Sequence, residues 1–85
     1  MKTFDYVIKD ELGIHARPAG LLAKEAKKYS SKILLKKEDK EAEATRLMAV
    51  MALAIKKGQC VTVTVEGEDE ETACTEIKGF FENNL

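Results

Sequence analysis

From Val61 to Val65 the chain alternates strictly, with Val61, Val63 and Val65 on one side and Thr62 and Thr64 on the other. This is the clearest strand in the sequence, and it limits the fold most. A strand with one apolar face must bury that face against another layer. The neighbouring segments change period accordingly. Phe4, Tyr6 and Ile8 alternate as a first strand of about seven residues, and the turn Asp10–Gly13 follows it. From Ala16 to Tyr29, Ala19, Leu22, Ala23, Ala26 and Tyr29 recur at helical spacing, with Pro18 in the first turn and Lys24, Lys27 and Lys28 in the later ones. Ile33 and Leu35 begin a second strand and Glu41–Ala44 a weaker third, with Glu38-Asp39 as a hairpin tip that has no glycine. Leu47–Leu53 reads as a short apolar helix, and Lys56-Lys57-Gly58 is expected to end it. After Gly67 and Asp69 comes a last helix, with Glu70 and Glu71 in its first turn and Ala73, Ile77, Phe80 and Phe81 as its buried stripe.

The order β-α-β-β-α-β-α in 85 residues predicts a single α+β domain over residues 1–85. Its architecture is an open-faced β-sandwich, a four-stranded antiparallel sheet covered on one face by three helices. The net charge of −1 argues against nucleic acid as a partner. The longest apolar run, Leu47–Ile55, is about half of a membrane span, so no membrane insertion is expected. The first residues lack an apolar signal core, and a cytoplasmic location follows as the expectation. Cys60 and Cys74 have no histidine partners, so neither a metal site nor any cofactor is expected. In a reducing compartment both are free thiols; a disulfide would require their Cα atoms within about 7 Å.

The chemistry concentrates in Gly13-Ile14-His15-Ala16-Arg17-Pro18, which holds the only histidine. The run sets an imidazole at the start of a helix, where unpaired N–H groups and the positive end of the macrodipole favour an anion. A neutral imidazole is a competent nucleophile. The parts describe a site for a phosphoryl group carried on a histidine nitrogen.

The segment GIHARPAGLL resembles the active-site motif of the HPr family, the histidine-containing phosphocarriers of the sugar phosphotransferase system. RLMAVMALAIKKG is similar to that family's second helix and the loop after it. VTVTVEGEDEETA is similar to its last strand and third-helix entry. The resemblance covers essentially the whole chain. It implies a carrier rather than an enzyme, one that takes a phosphoryl group from phosphorylated enzyme I and passes it to sugar-specific enzyme II A components. The group would sit on Nδ1 of His15. Arg17 would offer a fork of donors to its oxygens, the N–H groups of Ala16 and Arg17 would complete the cradle, and Pro18 would fix the helix entry.

The resemblance also implies a docking face. Lys24 and Lys27 would meet acidic rims on partners, although on their own they read as solvated helix charges. Leu47, Met48 and Met51 have the spacing of core residues, yet a helix this apolar cannot bury every side. Adaptable methionines suit a surface that meets several partners, so these three, with Arg46, are the expected interface. A carrier that alternates partners is expected to be a monomer.

Position 46 departs from the family. Many members carry a serine there, phosphorylated in Gram-positive bacteria by a dedicated kinase; this chain has Arg46. The regulatory switch is lost, and the cation is expected near the phosphohistidine, where it could hold phosphate or select partners. Gly20 replaces a commonly larger residue, which loosens the first helix by up to about 1 kcal/mol. Glu38-Asp39 replaces a frequent Asn-Gly tip. This divergence leaves two alternatives open: a regulatory binding protein of the same fold, and a carrier in a nitrogen-related or dihydroxyacetone phosphorelay.

Overall fold

The strand pattern is realised in a computed structural model that describes all residues, Met1–Leu85. β1 spans Lys2–Val7, α1 Ala16–Ala26, β2 Lys32–Lys37, β3 Lys40–Glu43, α2 Leu47–Ala52, β4 Cys60–Glu66 and α3 Glu70–Asn84. The strands form one antiparallel sheet in the order β1-β4-β2-β3. β4 thus lies inside the sheet, which explains why its alternation is the sharpest: Val61, Val63 and Val65 are wholly buried. In register with them, Phe4 and Tyr6 of β1 and Ile33 and Leu35 of β2 line the same face.

The helices close that face with Ala19, Leu22 and Ala26 of α1, Val50 of α2, and Ala73, Ile77 and Phe81 of α3. Phe81 meets the rings of Phe4 and Tyr6 edge-on at centroid distances of 5.8 and 5.5 Å. Burying a side chain of that size contributes about 3 kcal/mol. The opposite face carries Asp5 and Thr62, joined by a 2.6 Å hydrogen bond from the threonine hydroxyl, and stays open. The α+β open-faced architecture is as expected.

Several element ends and edges differ from the sequence expectations. α1 ends at Ala26 rather than Tyr29, because Lys28 and Tyr29 donate three residues back, to Glu25 and Ala26, in a tightened last turn. Tyr29 remains half-buried and donates its hydroxyl to Glu25 at 3.1 Å. α2 ends at Ala52, and its left-handed stop is Ala54 (φ +53), not Gly58. The stop falls there because the chain must reverse between buried Leu53 and buried Ile55, whereas Gly58 (φ +86) shapes the next turn. Phe80 sits half-buried at the edge of the stripe formed by Ala73, Ile77 and Phe81. Cys60 on β4 is exposed, Cys74 on α3 is half-buried, and both are free thiols.

Candidate functional site

The loop between β1 and α1 is stitched to the turn after α2. Ile14 N–H donates to the Ile55 carbonyl at 2.9 Å, and Gly58 N–H donates to that of Ile8 at 2.8 Å. Gly13 permits this approach: it holds φ +67, and a Cβ there would come within 2.7 Å of Lys56 Cα. His15 is thereby placed as the N-cap of α1, in extended conformation (φ −109, ψ −173). Its carbonyl accepts the Ala19 N–H at 3.0 Å, while its ring makes no capping bond and stays available.

Ala16 and Arg17 therefore present N–H groups without backbone acceptors, and Pro18 brings none. The Arg17 side chain is exposed and pairs with no carboxylate. His15, Arg17 and Pro18 line one open cavity of about 270 Å³, together with Asp10, Leu21, Asn83 and Asn84. A polar hollow with an imidazole, an unpaired guanidinium and a helix start at its rim suits a tetrahedral oxyanion. No three His, Cys, Asp or Glu side chains gather into a metal-ligand set.

Asp10, Asn83 and Asn84 escaped the sequence reading. Asp10 Oδ2 lies 3.6 Å from His15 Nε2. It also accepts the Leu12 N–H at 3.2 Å, and Gly13 N–H bonds to its carbonyl at 3.0 Å. An aspartate three residues before a glycine is a turn signal, and this one could have been read as an acid held beside the lone histidine. The asparagines gave no local signal. They arrive because the Leu85 main-chain oxygen accepts the N–H groups of Lys9 and Asp10, at 2.6 and 2.8 Å, which pins the end of α3 beside the loop.

The expected docking residues divide. Lys24 and Lys27 are exposed on α1 and free of ion pairs, unlike Lys28, which sits 3.0 Å from Glu25. Leu47 and Met48 are 37% and 75% exposed, whereas Met51 is half-buried against the core and offers less surface. Arg46, the N-cap of α2, does not line the His15 cavity. Its Nε lies 3.5 Å from Glu43 Oε2, so its charge is directed to a neighbouring carboxylate. Leu12 (71% exposed) and Leu21, four residues after Arg17 on α1, add apolar surface that the sequence reading passed over. α1 packs against α2.

Residues 2–83 match the family model described as the PTS HPr component phosphorylation site. The phosphocarrier protein HPr of Mycoplasma capricolum is 44% identical over 78 residues, which span 92% of this chain and 88% of that protein. The structure of a mycoplasma histidine-containing phosphocarrier protein superposes with a TM-score of 0.93 at 40% identity, covering 96% of this chain and 93% of that one. Crh of Bacillus subtilis, a catabolite-repression protein solved as a swapped, intertwined dimer, superposes at 0.79 with 31% identity, covering 94% and 92%. No helix here is long and apolar enough to cross a membrane.

Proposed function

The chain belongs to the HPr family of the phosphotransferase system, and on that premise we propose that it carries a phosphoryl group on His15 in the cytoplasm. The donor is phosphorylated enzyme I and the acceptors are enzyme II A components. The observation that carries this reading is the cavity that His15, Arg17 and Pro18 line together, at a helix start where the N–H groups of Ala16 and Arg17 have no backbone acceptor. Each part has a role in the exchange. His15 supplies the nitrogen nucleophile, Arg17 grips two phosphoryl oxygens, and the helix start offsets the remaining charge. Pro18 holds the first turn in shape, so little reordering is needed at either transfer.

The carrier turns over only when two other proteins act on it, and its own catalytic contribution is this cradle. Lys24, Lys27, Arg46, Leu47, Met48 and Met51 form the docking face, joined by exposed Leu12 and Leu21. A monomer suits a carrier that must alternate between partners, and it is the form proposed for this chain. Incubation with enzyme I and phosphoenolpyruvate tests the proposal: an acid-labile, alkali-stable phosphoryl adduct is expected, and its absence would refute the carrier role.

The likeness to Crh favours a second reading, a regulatory protein that docks partners without carrying phosphate. His15, Arg17 and Pro18 together weigh for the carrier. Labelling of wild-type protein with no labelling of His15→Ala decides against the regulator.

A further inference from the structure

The carrier reading leaves open how one ring nitrogen is chosen over the other, and the carboxylate beside the ring bears on that choice. Asp10 is held on three sides: its N–H donates to the Leu85 main-chain oxygen at 2.8 Å, its carbonyl accepts the Gly13 N–H at 3.0 Å, and its Oδ2 accepts the Leu12 N–H at 3.2 Å. The same Oδ2 faces His15 Nε2 at 3.6 Å, on the wall of the cavity. We infer that Asp10 is a positioning residue for His15: its carboxylate keeps the ring proton on Nε2 and leaves Nδ1 as the atom that gains and releases the phosphoryl group.

The inference rests on the carrier reading and gives it a mechanism. A neutral imidazole has one N–H donor and one lone pair, and a carboxylate facing one nitrogen draws the proton there. On acceptance, the Nδ1 lone pair attacks phosphorus, and the bond from phosphorus to the donor breaks with its electron pair leaving on the donor. Nε2 keeps its proton throughout, so the ring becomes cationic beside the Asp10 carboxylate. On release, the pair of the P–Nδ1 bond returns to Nδ1 and the ring leaves as neutral imidazole. Were Nε2 bare, the leaving group would be imidazolate, and transfer would stall. At 3.6 Å the pair is a charge contact rather than a full hydrogen bond, and such contacts tighten when charge develops on the ring. The arrangement parallels the orienting acid of a catalytic triad, with the roles of the two nitrogens exchanged.

Long-range proton–nitrogen correlation spectra of nitrogen-15-labelled, unphosphorylated protein at alkaline pH read the tautomer directly. The Nε2–H to Nδ1–H ratio is expected to fall roughly fivefold in Asp10→Ala, the scale of a partly exposed charge contact. Asp10→Asn, whose amide oxygen still accepts the Leu12 N–H and still faces Nε2 but carries no charge, is expected to shift the ratio the same way by less, with the loop intact. Transfer from the phosphorylated variants to an enzyme II A component slows, while the label stays on His15. An unchanged ratio in a folded Asp10→Ala protein overturns the role of Asp10 even when enzyme I labels the wild type. Failure of enzyme I to label the wild type overturns the carrier reading itself, and with it any part for Asp10 in transfer.

Discussion

Asp69 Oδ1 accepts both the Ser31 N–H, at 2.9 Å, and the Ser31 hydroxyl, while Oδ2 accepts the Ser30 N–H at 3.0 Å. One carboxylate thus ties the turn before β2 to the start of α3. Gly67 makes room for the tie, since a Cβ there would lie 2.6 Å from Ser31 Cα. The Ser31 hydroxyl, followed by the Ser30 N–H, holds the Asp69 carboxyl below the usual range. Glu70 is lowered too, chiefly by the Met1 ammonium.

A carboxyl depressed by folding adds stability above its unfolded-state value, about pH 4, and loses it as pH falls through the lower folded-state value. Thermal midpoints are therefore expected to fall as the pH drops below about 4. Asp69→Asn is expected to lower the midpoint at neutral pH and to flatten the acid limb. Parallel pH curves for the two proteins, followed by circular dichroism, would remove this clamp from the account.

At the hairpin tip, Lys37 pairs with Lys40 across two residues, and Glu38 alone takes a positive φ, +57. That pattern matches turns with glycine at the first central position. Glu38→Gly is expected to raise stability by about 0.5–1 kcal/mol in urea unfolding, because it relieves a left-handed non-glycine residue. Asp39→Gly, at a position without positive φ, is expected to give no gain.

Gly20 lies within α1, and a Cβ added there would meet nothing within 4 Å. Gly20→Ala is expected to stabilise the fold by about 1 kcal/mol, visible as a higher thermal midpoint. A lower midpoint would mean that the space beside α1 is filled.

Lys24 and Lys27 are exposed and hold no ion pair, so their charge is free for a partner. The double reversal Lys24→Glu and Lys27→Glu is expected to raise KM for enzyme I roughly tenfold, mainly through slower association, and to leave kcat unchanged. The difference is expected to shrink at high salt. Equal KM values at low salt would remove these lysines from the docking face.

Features set by local pattern were legible in the sequence. The alternation of Val61, Val63 and Val65 revealed the central strand, and the run from His15 to Pro18 revealed the helix start. Features set by distant contacts were not. The turn between α1 and β2 is fastened by Asp69, 39 residues beyond Ser30. The cavity walls depend on Leu85 closing onto Lys9 and Asp10, so Asn83 and Asn84 carried no sign of their place. Arg46 is expected to hold phosphate or select partners, and its contact with Glu43, three residues earlier, gave no sign of itself in the sequence. The left-handed stop at Ala54 was hidden because alanine ordinarily continues a helix.

Peptide mapping of the protein after incubation with enzyme I and labelled phosphoenolpyruvate tests the central claim most directly. All acid-labile label is expected in the peptide that contains His15, with none in His15→Ala. Label on His15→Ala, or none on the wild type, would contradict a phosphoryl group carried at the start of α1.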